Sequence, residues 1–231
     1  MCKIDVLDHG YVRLVDIMGS DLSPVNAARA SFAKESRELS EKDISLINYL
    51  VDNSHMSPFR HAFISFEVKA PLMIARQWWK YIVGSDHSMD GWNEQSRRYV
   101  SAEPEFYIPD TWRKASEDKK QGSGENVDSI DNRILTMDYT KYLNECASYY
   151  RDLIKKGIAP EQARLVLPAY AMYTTWYWST SLQGVLHFIE QRLGDDAQDE
   201  IQQYAKAIAN FVKTEFPYSY LAYLGEDDEH E

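Results

Sequence analysis

The sequence has only two cysteines among its 231 residues, Cys2 and Cys146. Two thiols cannot build a disulfide scaffold or supply a four-thiolate zinc site. No apolar run reaches the roughly 18 residues that a membrane-spanning helix needs, and no basic-then-apolar leader opens the chain. These absences point to a soluble cytoplasmic protein. Positive charge is also in deficit: 25 Lys and Arg against 36 Asp and Glu leave a formal net charge of −11. Such a balance argues against a general nucleic-acid coat. An anionic ligand would have to meet a local cluster of cations working against the overall field. No glycine-rich dinucleotide fingerprint follows a strand, and there is no internal repeat.

What is present is an ordinary globular composition, 44% hydrophobic and 26% charged, with aromatics high at 13%. The length suits one domain over 1–231. Lys3 to Leu7 and Tyr11 to Ile17 read as a hairpin turning at Asp8-His9-Gly10. Ser23-Pro24 starts a short helix. Ser40 to Asp43 resembles a capping box ahead of a helix over 41–52. From His61 to Lys69 the residues alternate, with Ala62, Ile64, Phe66 and Val68 on one apolar face, so this is a strand. Pro71 opens a helix that Gly84 ends. The stretch 84–92 reads as loop, and Glu105 to Ile108 as a brief strand. Residues 114–129, charged and containing Gly-Ser-Gly, read as an exposed loop. Helices are expected over 131–156, 160–167, 180–193 and 196–214, followed by an acidic tail at 225–231. The expected class is α/β (α+β): a single domain with a small, mostly antiparallel sheet and several long helices.

Two short segments carry the chemistry. Arg76 and Lys80 are four residues apart on a helix and so share a face. Gln77 offers a paired donor and acceptor, which suits an amide–imide edge such as that of uracil. Ser96, Arg97 and Arg98 put a hydroxyl and two guanidinium groups within three residues, and arginine forks match phosphate oxygens. Trp92 and Tyr99 add flat surfaces. On chemistry alone, a solvated basic patch beside core tryptophans explains these residues as well as a ligand site does.

Arg76-Gln77-Trp78 and Asn93-Glu94-Gln95-Ser96-Arg97-Arg98-Tyr99 resemble the signature of the flavin-dependent thymidylate synthases. So, in the family's order, do Lys3 to Gly10, Ser57-Pro58-Phe59, Val68 to Pro71, Glu105 to Pro109, Ala163 to Pro168 and Glu200 to Ala205. The chain departs from the family at one point. Lys80-Tyr81-Ile82 stands where the family has Arg-His-Arg, and about six extra residues precede Asn93. His87 and Ser85, in the longer loop, are candidates to replace the lost groups.

The resemblance implies reductive methylation of dUMP to dTMP, with methylenetetrahydrofolate giving the carbon and NADPH giving electrons through FAD. It implies dUMP contacts from Gln77, Lys80, Glu94, Gln95, Ser96, Arg97, Arg98, Arg164 and Arg192. Among these, Arg192 matches the family arginine that contacts the uracil ring and favours its ionised form, a catalytic role. FAD contacts are implied for His55, Ser57, Lys80, Tyr81, Ile82, Glu94, Ser181 and His187. The family also implies a homotetramer with sites at subunit interfaces and Arg164 reaching in from a neighbouring subunit. No metal and no nucleic acid or membrane partner is expected.

The bland readings stand beside these. Arg192, at the edge of an apolar stripe formed by Leu182, Val185, Leu186, Ile189 and Leu193, could be a structural ion pair, and Arg164 could pair with Glu161. Thr180 to Gln183 resembles a capping box. Cys146 shares a helical face with Leu143, Tyr150 and Leu153 and reads as core, so a thiolate nucleophile is not offered. Two rival functions remain: a non-catalytic relative that holds dUMP and flavin without turnover, and an RNA-binding module stacking bases on Trp78, Trp79 and Tyr99.

Overall fold

A computed structural model describes residues 2–82, 90–96, 103–116 and 122–225, without the side chains of Tyr81 and Ile82. Arg97, Arg98, Tyr99, Gly84, Ser85, His87 and the end of the acidic tail lie outside the described residues.

The sheet is built from β1 (Lys3–Val6), β2 (Gly10–Met18), β3 (Phe63–Pro71), β4 (Gly91–Glu94) and β7 (Tyr173–Ser181), all antiparallel, in the order β1-β2-β3-β7-β4. A separate pair, β5 (Arg113–Ala115) and β6 (Ser123–Asn126), forms a two-stranded ribbon. The helices are α1 (Leu22–Arg29), α2 (Glu41–Asp52), α3 (Leu72–Ile82), α4 (Ser129–Lys155), α5 (Pro160–Ala163), α6 (Leu182–Leu193), α7 (Asp199–Glu215) and α8 (Pro217–Leu224). Among the described residues no helix is long and apolar enough to cross a membrane.

The alternation read in β3 is the core face. Ala62, Ile64, Phe66 and Val68 are all fully buried, and in register with them β7 contributes Thr180, Trp178 and Trp176. Helices α3, α6 and α7 cover this face with Ile74, Trp78, Val185, Phe188, Ile201 and Ile208, so the molecule is a sheet with one helical layer. The capping box at Ser40 and Asp43 forms as expected. Gly10 is required by packing, because a Cβ there would collide with the Tyr204 hydroxyl, which donates to the Lys69 carbonyl at 2.8 Å.

Several sequence expectations need correction. The helix expected to begin near 180 starts at Leu182, because the residues before it form β7. The cap is Ser181, whose hydroxyl accepts the Gly184 N–H at 3.2 Å; Gln183 does not complete a box, since its Oε1 accepts from Arg60 Nε at 2.7 Å. Residues 91 and 92, read as loop, belong to β4. The stretch 114–129 is not simply a loop, because β5 and β6 pair within it and α4 begins at Ser129. Glu105 to Ile108 makes a single bridge, Phe106 to Met172, rather than a strand.

The other face of the sheet is polar. Arg13 Nη2 donates to Glu67 Oε2 at 2.7 Å and Arg13 Nε to Oε1 at 3.2 Å, while the Tyr11 hydroxyl donates to Oε1 at 2.7 Å. The hydrogen bonds from Arg13 outweigh the opposing effect of burial and hold the Glu67 carboxyl at about 2, well below its ordinary 4.5. The Tyr11 phenol is pushed up to about 12, first by burial and then by its bond to Glu67.

A depressed carboxylate stabilises the fold above the pKa of the unfolded chain and loses that contribution as pH falls through the folded value. The window here is roughly pH 4.5 down to 2, and the contribution is on the order of 2 kcal/mol for this largely covered pair. We expect Glu67→Gln to lower the thermal midpoint at pH 7 and to converge with wild type near pH 2. A constant gap between the two across that range, in scanning calorimetry, would reject the ion pair as a source of acid sensitivity.

Candidate active site

A cleft of about 1140 Å³ opens where the sheet ends beneath α5. Its walls come from Tyr11 and Lys69 on the polar face, Glu94 to Ser96 leaving β4, Tyr173 to Thr175 entering β7, and Glu161 to Leu165 across α5 and the 3-10 turn Arg164–Val166. The volume is slightly above the roughly 300–1,000 Å³ usual for small-molecule sites.

Local chemistry fixes the walls. The Thr174 hydroxyl donates to Glu94 Oε1 at 2.9 Å, and the Gln95 N–H donates to the Thr175 carbonyl at 2.8 Å, so β4 delivers Glu94 and Gln95 in a fixed register. Lys69 Nζ pairs with Glu105 and lies 5.5 Å from the centre of the Tyr173 ring. Arg164 Nε donates to the Glu161 carbonyl oxygen at 3.3 Å, not to its carboxylate. The terminal guanidinium nitrogens of Arg164 have no partner among the described residues. Glu94, Glu103, Glu105 and Glu161 outnumber Lys69 and Arg164 in the described part of this cleft.

Glu94, Gln95, Ser96 and Arg164 are therefore brought together from segments far apart in sequence. The other expected residues lie elsewhere. Lys80 is exposed on α3. His55 and Ser57 are exposed beside the 3-10 turn Ser57–His61, which packs on α6. His187, on α6, faces Glu190 with Nδ1 3.7 Å from a carboxylate oxygen. The His55–Ser57 segment and the start of α6 lie toward the opposite end of the β3–β7 pair, since Pro71 is opposite Tyr173 and Phe63 opposite Ser181. At about 3.4 Å per residue the two ends are roughly 27 Å apart. Ser181 is 1% exposed and its hydroxyl is used as the α6 cap, so it is not available to a ligand here.

Gln77 is not among the described residues that line the cleft. Its Nε2 donates to Gln198 Oε1 at 2.6 Å, and Gln198 Nε2 donates to Glu200 Oε2 at 2.7 Å. Glu200 is 3% exposed and also accepts from Arg113 Nη2 at 2.7 Å and the Tyr107 hydroxyl at 3.2 Å. Burial would raise its pKa, but the hydrogen bonds from Arg113 and Gln198 prevail and hold it below the ordinary carboxylate range. Gln198 and Glu200 also wall a smaller cavity of about 330 Å³ with Met73, Tyr107, Trp112 and Tyr170. Arg192 is buried in the last turn of α6. Gln198 follows it across the Gly194 to Ala197 turn, closed by the Ala197 N–H to the Gly194 carbonyl at 2.9 Å.

Sequence reasoning missed Tyr11, Lys69, Thr174, Thr175 and Gln198. The signal for Lys69 was its place at the end of the polar face of β3. For Gln198 there was none, because its partner Gln77 is 121 residues away. Among the described residues no cluster of His, Cys, Asp or Glu could hold a metal ion.

Comparison with known proteins gives this geometry a context. Residues 13–218 match the family described as thymidylate synthase complementing protein. The chain is 40% identical over 220 residues to the flavin-dependent thymidylate synthase of Thermosipho africanus, covering 95% of this chain and 92% of that one. It is 41% identical over 220 residues to a flavin-dependent thymidylate synthase of Thermus thermophilus, covering 95% and 77%. Among solved structures, a UMP/dUMP methylase from Streptomyces cacaoi bound with 5-Br dUMP superposes with a TM-score of 0.82 at 28% identity, covering 95% of this chain and 96% of that one.

Proposed function

This chain belongs to the flavin-dependent thymidylate synthases, and we propose that it converts dUMP to dTMP with FAD, taking the carbon from methylenetetrahydrofolate and the electrons from NADPH. The observation that carries the nucleotide reading is the cleft in which Glu94, Gln95 and Ser96 meet Arg164. Arg164 brings to this acidic cleft guanidinium nitrogens that no described residue engages, a cation suited to a phosphate oxygen. Arg97 and Arg98, which follow Ser96 directly in the chain and lie outside the described residues, are the further cations of this reading, matched to phosphate oxygens by their planar forks. In this reading Glu94, whose carboxylate accepts from Thr174, orders the nucleotide beside the cofactor.

The residues present fit a flavin in part. His55 and Ser57 are exposed donors and acceptors beside a turn that packs on α6, the helix carrying His187, and groups of this kind suit a dinucleotide. Lys80, Tyr81 and Ile82 occupy the Arg-His-Arg position and leave one cation where the family has two arginines. When bound, the flavin supplies the hydride that completes the methyl group, and the protein binds and orients.

A homotetramer with shared sites accords with the separation of the two residue groups. One protomer keeps Glu94, opposite Trp176, roughly 17 Å along the strands from Ser181 and the His55 end, so a complete site would draw the two groups from different copies. Helix α4 offers a face for self-association, exposing Ile130, Ile134 and Met137 along one stripe.

The purified protein is expected to be yellow, and dUMP to perturb its flavin spectrum. Colourless protein that also fails to take up added FAD would overturn the enzyme reading. A yellow protein whose spectrum responds to dUMP, yet which forms no dTMP with methylenetetrahydrofolate and NADPH, would favour the non-catalytic relative.

A further inference from the structure

Lys69 lines the same cleft as Glu94, Gln95, Ser96 and Arg164. On the reading that dUMP binds in this cleft, we propose that Lys69 is a further phosphate-binding residue, a cation that exchanges its partner Glu105 for a phosphate oxygen when the nucleotide enters. None of the contacts implied by family resemblance falls on this residue.

Sheet register places it there. Tyr11 of β2 is opposite Lys69 of β3, Lys69 is opposite Thr175 of β7, and the Thr175 carbonyl accepts the Gln95 N–H at 2.8 Å. These four residues form one row across the sheet, and all four line the cleft. Neighbouring strands are about 4.8 Å apart, so Lys69 and the segment Gln95-Ser96 are roughly 10 Å apart. An anion seated over Thr175 is flanked by both. Within the row only Lys69 carries a charge, and the Tyr11 hydroxyl already donates to Glu67 at 2.7 Å.

Lys69 is held independently of any ligand. Its backbone is paired on both sides within the sheet, and its carbonyl accepts the Tyr204 hydroxyl at 2.8 Å. Its ammonium lies 5.5 Å from the centre of the Tyr173 ring, and a cation over an aromatic face is attracted by it. That ring is itself fixed, because Tyr173 is buried and its hydroxyl donates to Asp8 Oδ1 at 2.5 Å.

Glu105 is the looser member of the pair. Its side chain is 53% exposed against 21% for Lys69, and an ion pair this open adds little to stability. Nor is the pair needed to fasten the Glu105 segment. The Glu105 carbonyl accepts the Tyr173 N–H at 2.9 Å, and the Tyr107 N–H donates to the Ala171 carbonyl at 2.8 Å. A phosphate monoester carries between one and a half and two negative charges near pH 7, roughly twice that of a carboxylate. It offers Lys69 the same charge-assisted contact with more charge, and Glu105 is free to turn to water.

Full-length protein would be titrated calorimetrically with dUMP and with deoxyuridine, which lacks the phosphate. Wild type would be compared with Lys69→Met, Glu105→Gln and Arg164→Ala. Lys69→Met keeps an apolar stem over Tyr173 and removes the charge. It is expected to weaken dUMP about tenfold, the scale of one hydrogen bond to a charged group, and to leave deoxyuridine within about twofold. Glu105→Gln removes the competing carboxylate and should tighten dUMP about threefold, again with deoxyuridine unchanged. That gain separates the two roles, because loss of a merely structural tie would not improve phosphate binding.

Equal losses for the two ligands in a folded Lys69→Met overturn the phosphate contact. An unchanged or weaker dUMP affinity in Glu105→Gln overturns the exchange, and it overturns the whole proposal if Lys69→Met does not fold. Loss of the dUMP preference in Arg164→Ala with none in Lys69→Met leaves the nucleotide in the cleft and removes Lys69 alone. No loss in either variant overturns the cleft as the nucleotide site and Lys69 with it.

Discussion

Replacing Arg192 by alanine is expected to lower turnover at saturating dUMP by about a hundredfold to a thousandfold, the range seen when one preorganised charge-stabilising group is removed. Arg192 is the one buried cation among the described residues, 8% exposed on a helix whose neighbouring Val185, Phe188 and Ile189 are core. Burying a guanidinium costs several kcal/mol of desolvation, so a cation is kept at such a position only with compensating interactions or a role for its charge. The position near the α6 C-terminus lowers that cost, because the helix dipole there favours a cation. A fixed charge of this kind is of most use when negative charge develops next to it. In the proposed reaction the uracil ring must carry electron density to C5, and a guanidinium beside the ring stabilises the charge that its oxygens and N3 acquire. The loss should therefore fall on kcat more than on KM. Arg192→Lys, which keeps the charge but not the planar fork, should recover part of the rate. An unchanged rate for Arg192→Ala at saturating dUMP would reject the assignment. Flavin content and thermal midpoint must be followed in parallel, since a variant that loses its flavin would be slow for another reason.

How much of this could be read in the sequence depended on whether the partners were local. The β1–β2 hairpin, α2 with its capping box and the buried face of β3 are set by residues within a few positions of one another, and all were legible. β7 was not. Its inward face runs Thr174, Trp176, Trp178, Thr180, so threonines at both ends dilute the period-two apolar signal, and the following helix absorbed its last residues. β4 has four residues and exists only because β7 offers a free edge. β5 and β6 carry no apolar face, so nothing in their pattern separated them from a charged loop.

The site followed the same rule. The donor and acceptor chemistry of Gln77 was plain, but its tie to Gln198 joins distant elements. The meeting of Glu94 to Ser96 with Arg164 was implied by resemblance and could not have been derived from spacing. Ser181 shows the opposite case: a hydroxyl expected to meet a cofactor is consumed by the helix it starts.

The two adjacent tryptophans of α3 look alike in sequence and should behave very differently. Trp78→Ala is expected to cost about 3–5 kcal/mol of folding stability, the scale of a large aromatic removed from a core. In a chain of this size that is roughly 6–10 °C in thermal midpoint. Trp78 has no exposed surface, stacks on Phe188 with ring centres 4.3 Å apart, and meets Trp178 and Trp176 edge-on at 5.2 and 5.5 Å. It therefore ties α3 to β7 and α6 at once, and a total stability of about 5–15 kcal/mol leaves little margin for the cavity. Its indole N–H is buried without a hydrogen-bond partner among the described residues, so Trp78→Phe, which deletes that donor, should cost much less than the alanine variant. Trp79 is 49% exposed and touches Trp92 edge-on at 5.3 Å, so Trp79→Ala should cost less than about 1 kcal/mol. Equal losses at the two positions in thermal unfolding would contradict this division. The same burial disposes of Trp78 as a stacking platform for RNA bases, because neither face of the ring is open to a ligand. What Trp78 does instead is hold α3 against the sheet, and with it Gln77. Any loss of dUMP affinity in Trp78→Phe should track its loss of stability, whereas Gln77→Leu should weaken dUMP binding with little change in the melting temperature.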